Sequence, residues 1–265
     1  MNTVLSAMAG SANRIQALAW NGMRQAVRDK VLYVLVGFCA LLIGGSTIVS
    51  QLTVGERARI VMNLGLSATS VLSTLTAIFV TINQVAREID RKSIASILTK
   101  PVARWELLAG RFAGMATTLA AIQLTMVLLH CAVLASVDGY QSALWKAAWL
   151  GYIETLVVAA LALFLSAFIT TLPAIFLSLA FVVIGHTSEG LALMADRTES
   201  QATRFALEWL QRILPNLDVL NVRAQVAWGV DIPTSMLANG TLYGLGYATV
   251  LIVLGAFLFS RRDLA

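Results

Sequence analysis

The chain alternates long apolar runs with short charged blocks, and that alternation limits what it can fold into. A helix needs about 20 mainly apolar residues to cross roughly 30 Å of hydrocarbon. Residues 31–52 form one such run, 60–83 a second that is rich in Ser and Thr but free of charge, and 112–137 a third. The run 147–184 is too long for one span: at about 1.5 Å per residue it would reach nearly twice the bilayer core. It must turn, and Thr170-Thr171-Leu172-Pro173 is the place, because proline disfavours a helical residue before it. A fourth span therefore ends near Ile169 and a fifth starts near Pro173. The fifth is short or broken, since Gly185-His186-Thr187-Ser188-Glu189 follows soon after. Residues 242–260 make the sixth. The expected fold is an all-α integral membrane protein of about six transmembrane helices, one domain over residues 1–265.

Composition agrees. Hydrophobic residues make up 58% of the chain and charged residues 12%, against about 45–50% and about 25% in soluble domains. A soluble protein this apolar could not cover its own core, which excludes an ordinary cytosolic enzyme, a disordered chain and a nucleic-acid-binding domain. The net charge of +5 is no nucleic-acid footprint, because the basic residues sit in blocks between apolar runs. Cys39 and Cys131 both lie inside such runs, so neither a disulfide framework nor metal-ligand spacing is present. The first 30 residues lack a compact apolar region followed by a small-residue cleavage site, and no removable signal peptide is expected.

Basic residues set orientation. Arg14, Arg24, Arg28 and Lys30, the loop residues Arg87, Arg91, Lys92, Lys100, Arg104 and Arg111, and the terminal Arg261 and Arg262 fall on one side, 12 in all. The other side carries seven: Arg57, Arg59, Lys146, Arg197, Arg204, Arg212 and Arg223. The last four share a long loop with six acids, Glu189, Asp196, Glu199, Glu208, Asp218 and Asp231. Both termini and the 84–111 loop are expected in the cytoplasm. The tryptophans agree: Trp20 and Trp105 flank the inner face, Trp145 and Trp149 open the fourth span, Trp209 and Trp228 lie in the outer loop, and none is mid-span.

Residues 13–29 read as a basic amphipathic helix in the inner interface, with Ile15, Leu18, Ala19, Gly22 and Ala26 along one stripe. Residues 84–98 continue the second span as a charged helix that Pro101 breaks. It mixes Arg87, Glu88, Asp90, Arg91 and Lys92 with Ile89, Ile94, Ile97 and Leu98. A solvated turn explains neither the dense charge of both signs nor the apolar residues among it. Such a mixture suits a docking surface for a soluble partner.

This loop resembles the signature loop of the membrane subunits of type-2 ABC exporters. That family shows a Glu, then Thr-aliphatic, Leu-Leu, Pro-Val-Ser-Arg, two aliphatics, and Gly-Lys entering the third span. Here the residues are Glu88, Ser93-Ile94, Ile97-Leu98, Pro101-Val102-Ala103-Arg104, Leu107-Leu108 and Gly110-Arg111. Ser93, Ala103 and Arg111 depart conservatively. The layout is also similar: an amphipathic helix, six spans, a long segment before the last span and an Arg-Arg-Asp-Leu ending at 261–264. The resemblance implies a permease subunit without its own ATPase site. Two copies of the chain would form the pathway and two cytoplasmic ATPases, binding ATP and Mg, would dock on a coupling helix. Arg87, Glu88, Arg91, Lys92, Ile94, Ile97 and Arg104 would form the docking surface. Copper-maturation and haem-export permeases share the plan, so the cargo stays open.

The outer segment, 187–240, is expected to hold short helices that close the exit side. Thr198 with Gln201 can form a capping box, Ala206, Trp209, Leu210 and Ile213 give an apolar stripe, and 221–230 suits a second short helix. Glu154 is the one formal charge well inside a span. An acid there should face the bundle interior or water, as a pathway contact or as a satisfied structural acid. His130, Cys131 and His186 hint at a soft-metal site, but adjacent helical residues point about 100° apart, and no metal is expected. Gly110-xxx-Gly114 and Gly240-xxx-Gly244 allow close helix contact.

Two other function classes compete. An intramembrane enzyme needs a nucleophile and base, or a metal cluster, at one depth, whereas Glu154, His130 and His186 are scattered along the sequence. An ion-coupled carrier predicts inverted repeats, and none is visible. No phosphate-binding Walker loop, His-Glu-x-x-His pair or Gly-x-Ser-x-Gly elbow occurs, so a pump built on this chain needs an external engine.

Overall fold

The computed structural model describes residues 30–51, 56–90, 104–188 and 214–260, together with Trp20, Arg24 and scattered positions between 190 and 207. At 30–32, 50, 88–90, 104–107 and 258–260 the backbone alone is described. The described residues form helices without strands. They are α1 (Lys30–Gln51), α2 (Arg57–Asp90), α3 (Arg104–Ala135), α4 (Ala143–Ser166), α5 (Thr171–Gly185), a 3₁₀ turn (Leu217–Leu220), α6 (Arg223–Ala227) and α7 (Thr234–Ser260). α2, α3, α4 and α7 each contain a stretch long and apolar enough to cross a membrane, and α1 and α5 hold shorter apolar stretches. The expected all-α membrane fold is what forms.

α4 is apolar all round, and a helix of that kind belongs in the interior. It is the central post, with α2, α3, α5 and α7 packed around it. Its buried residues Val157 to Ala162 merge with Ile78, Ile82, Leu119 and Met126 into the main core. α1 leans on α2 through one stripe, Cys39, Ile43 and Ser46, while Val34, Leu41 and Ile48 are left exposed as a lipid-facing surface. α7 approaches α4 closely through glycine. A Cβ at Gly244 would run into the Ile153 side chain, and one at Gly240 would come within 3.0 Å of Leu150. Gly240-xxx-Gly244 is thus a real contact face. Gly244→Ala is expected to cost about 1–3 kcal/mol through overpacking, read as a lower Tm of the purified protein.

Two helices outrun the membrane. α2 has 34 residues and α3 has 32, so each extends about 50 Å, well past a hydrocarbon core of about 30 Å. Their excess lies at the same end of the bundle, where Val85, Leu108, Met115 and Leu163 close a small core. The two helices form a stalk that carries residues 91–103. Helix continues from the second span through Asp90, as expected for its first part; the remainder of the expected 84–98 helix lies outside the described residues.

The turn between α4 and α5 forms where Pro173 demands it. α4 ends at Ser166, Thr170 is extended, and Pro173 is the third residue of α5, where no intrahelical N–H is needed. α5 has only 15 residues, about 22 Å, whereas α4 with 24 residues reaches about 36 Å. The fifth span is short, as the sequence suggests. α7 starts at Thr234 rather than near 242, because Pro233 opens it: its carbonyl accepts from the Met236 and Leu237 amides.

The expected 187–240 helices appear in part. Residues 221–230 hold the short α6, preceded by the 3₁₀ turn. Gly229, with φ +70°, ends α6: the Val230 amide donates to Gln225 and the Gly229 amide to Val226, the Schellman pattern that needs a left-handed residue. The expected capping box does not form. The Thr198 hydroxyl donates back to the Met194 carbonyl, and the turn that follows starts at Ser200, whose carbonyl accepts from the Arg204 amide. The stripe Ala206, Trp209, Leu210 and Ile213 lies outside the described residues. So does the 13–29 helix, except that Trp20 and Arg24 are helical and the Arg24 guanidinium lies 5.2 Å from the Trp20 ring centre.

Candidate functional site

The site grows out of the length difference between α4 and α5. α5 is shorter than α4 by about 14 Å, which leaves a space above its last residue. Residues 214–233 enter that space as a cap. They sit directly on the end of α5: a Cβ at Gly185 would lie 2.9 Å from both Leu217 and the Pro215 carbonyl. Leu217 joins the main core and Leu220 the cluster around Leu150 and Ile153.

Glu154 faces this junction. It is 2% exposed, on the side of α4 turned toward α5 and the cap. Its carboxylate Oε1 is 2.9 Å from Nε2 of His186, the residue just past α5. The other ring nitrogen, Nδ1, stands 3.6 Å from the Asp218 carboxylate in the 3₁₀ turn, an electrostatic contact beyond hydrogen-bond range. The Glu154 hydrogen bond holds the His186 pKa above its ordinary value. Burial works against this, Glu154 and Asp218 add charge attraction, and Arg223 opposes it.

Glu154 and Arg223 also line a small cavity of about 20 Å³ among α2, α3, α4 and the cap, with Thr69, Ser70, Gln123 and His130. That volume suits about one water. Its polar wall is orderly. Ser73 donates to the Gln123 carbonyl oxygen, and His130 Nε2 is 3.2 Å from the Val61 carbonyl. That contact requires Nε2 to carry the proton. Gly65 lies against the His130 ring and leaves no room for a Cβ.

Three neighbouring helices fasten the cap. From α2, the Arg59 guanidinium lies 3.2 Å from the Trp228 ring centre. From α4, Lys146 Nζ donates to Asp231 at 2.7 Å and to the Ile232 carbonyl at 2.8 Å, and this pairing lowers the Asp231 pKa. From α7, Tyr243 OH accepts from the Asn216 amide at 2.7 Å. Asn216 in turn accepts from Ser188 and from the Asp218 amide, which fixes the 3₁₀ turn.

Of the residues singled out in the sequence, Glu154 and His186 meet in this junction, the histidine as partner of the acid. Arg87 is half-buried near the end of α2, Glu88 and Arg104 have their backbones on α2 and α3, and Arg91, Lys92, Ile94 and Ile97 lie outside the described residues. His130 and His186 are on different sides of the cavity wall, and among the described residues no three His, Cys, Asp or Glu side chains gather as a metal set. Asp218 and Arg223 were missed. Their only signal was charge in a loop beside a short span.

No curated protein matches the chain. A family model does, described as ABC-2 family transporter protein, over residues 16–264. With nearly the whole length covered and an all-α bundle of apolar helices, the chain belongs to the ABC-2 transporter family, as an integral-membrane permease subunit that works with an ABC ATPase.

Proposed function

We propose that this permease is an exporter driven by alternating access, acting as a homodimer with two cytoplasmic ATPases that bind ATP and Mg. In this reading the protein lies in a bacterial inner membrane with both termini in the cytoplasm. The observation that carries it is the stalk. α2 and α3 extend past the length a membrane requires, at one end, and frame the loop whose residues match the docking signature. A rigid helical pair transmits force from a docked engine into the bundle. Closure of the ATPases would push residues 84–104 and tilt α1, α2 and α5, while the cap at the opposite end closes the exit. Glu154, at the cap junction, is the candidate pathway contact.

Topology is the first test. The basic blocks weigh 12 to 7, so cysteines at Ser96 and at Ser200 are expected to react with an impermeant thiol reagent from opposite faces, Ser96 from the cytoplasm. Reaction of both from one face would overturn the arrangement.

A further inference from the structure

We infer that the cap is held on the bundle by a proton-operated latch, in which His186 bridges the carboxylates of Glu154 and Asp218. His186 is where three elements meet: α5 ends there, α4 brings Glu154 at 2.9 Å and the 3₁₀ turn brings Asp218 at 3.6 Å. Arg223, from α6, is the charged side chain that opposes them. As imidazolium, His186 donates to Glu154 and faces Asp218 with a positive charge. As neutral imidazole it carries one proton. If Nε2 keeps it for Glu154, Nδ1 turns a lone pair toward the Asp218 carboxylate and the attraction becomes repulsion. Other anchors of the cap involve no histidine: Arg59 on Trp228, Lys146 on Asp231 and the Ile232 carbonyl, and Tyr243 on the Asn216 amide.

The sign follows from the pair. The folded cap favours the charged histidine above its ordinary value of 6.5. The latch therefore contributes fully below about pH 6.5 and is lost as pH rises through the higher folded value. A cap fastened in acid and loosened in base makes the permease sensitive to pH on the side the cap faces. The inference stands on the cap's geometry and not on what is carried or in which direction.

The test reads cap position directly. Spin labels at Val219 in the cap and Ser136 at the end of α3, in a protein with Cys39 and Cys131 replaced by Ala, report one distance in lipid discs without ATPase. Labelled chains are diluted into unlabelled ones. A single population is expected at pH 6, and a second, longer one is expected to grow by pH 8.5. His186→Gln should show the longer population at both pH values, and Asp218→Asn should move the midpoint to lower pH. Distances that do not change with pH in the parent, or a response unaltered in Asp218→Asn, would overturn the latch. Because Asp218 is partly exposed, that variant reports even if His186→Gln folds poorly. Neither outcome bears on the exporter reading, which the ATPase docking test addresses separately.

Discussion

Ile94→Asp is expected to strip the ATPase from the purified permease and abolish its lipid-stimulated ATP hydrolysis. The binding energy of an interface concentrates in a few desolvated anchors. The isoleucines interleaved with charge at 89, 94 and 97 are the residues of this loop fit to be anchors. A hot-spot loss of about 2 kcal/mol weakens binding roughly 30-fold, and a carboxylate buried in the partner's groove adds a desolvation penalty. Ile97→Asp should behave alike. Arg91→Ala and Lys92→Ala should lower affinity only modestly, and less at high salt, as rim charges do. Co-purification of the complex and its hydrolysis rate in lipid check this. An Ile94→Asp complex that assembles and hydrolyses normally removes the loop as docking site and the exporter proposal loses its mechanical basis.

The second large effect is at Glu154. Removing one partner of a buried pair strands the other, which costs about 3–5 kcal/mol in well-buried cases. His186 is 24% exposed and keeps Asp218, so the low end applies: Glu154→Leu should lose about 3 kcal/mol, seen as a lower Tm and less protein in the membrane. Glu154→Gln preserves shape and can accept from His186, so the protein should remain abundant. If Glu154 contacts the pathway, the Gln variant turns over slowly despite normal assembly. Full turnover in the Gln variant alongside low abundance in the Leu variant would make Glu154 purely structural and remove it from the pathway.

A great deal of this protein is legible along the chain because a membrane imposes one-dimensional rules. Backbone groups in hydrocarbon must be satisfied within the segment, so an apolar run of sufficient length is a helix whatever packs beside it. That is why 31–52, 60–83 and 112–137 locate α1, α2 and α3, and why Pro173 locates the α4–α5 turn. The loop proposed to dock the ATPase stands out for another reason: charge interleaved with isoleucine is a local pattern that needs no distant partner to be seen.

The cap junction needed the fold. Glu154 and His186 are 32 residues apart and Asp218 is 32 beyond His186, so no local spacing connects them. The sequence determined that Glu154 needs a partner in an apolar helix and that α5 is short. Only the tertiary structure decided that the space above α5 is filled by 214–233, which brings His186, Asp218 and Arg223 to that acid. The same holds for α4 and α7. Apart from Lys146 and Glu154 in α4, both are uncharged and mainly apolar, and an apolar surface can face lipid or protein equally well, since hydrocarbon gives no hydrophobic drive to choose between them. Shape chooses instead: glycines at 240 and 244 let α7 close against Leu150 and Ile153, which makes α4 the buried post and leaves the outer faces of α7 and α1 to the lipid.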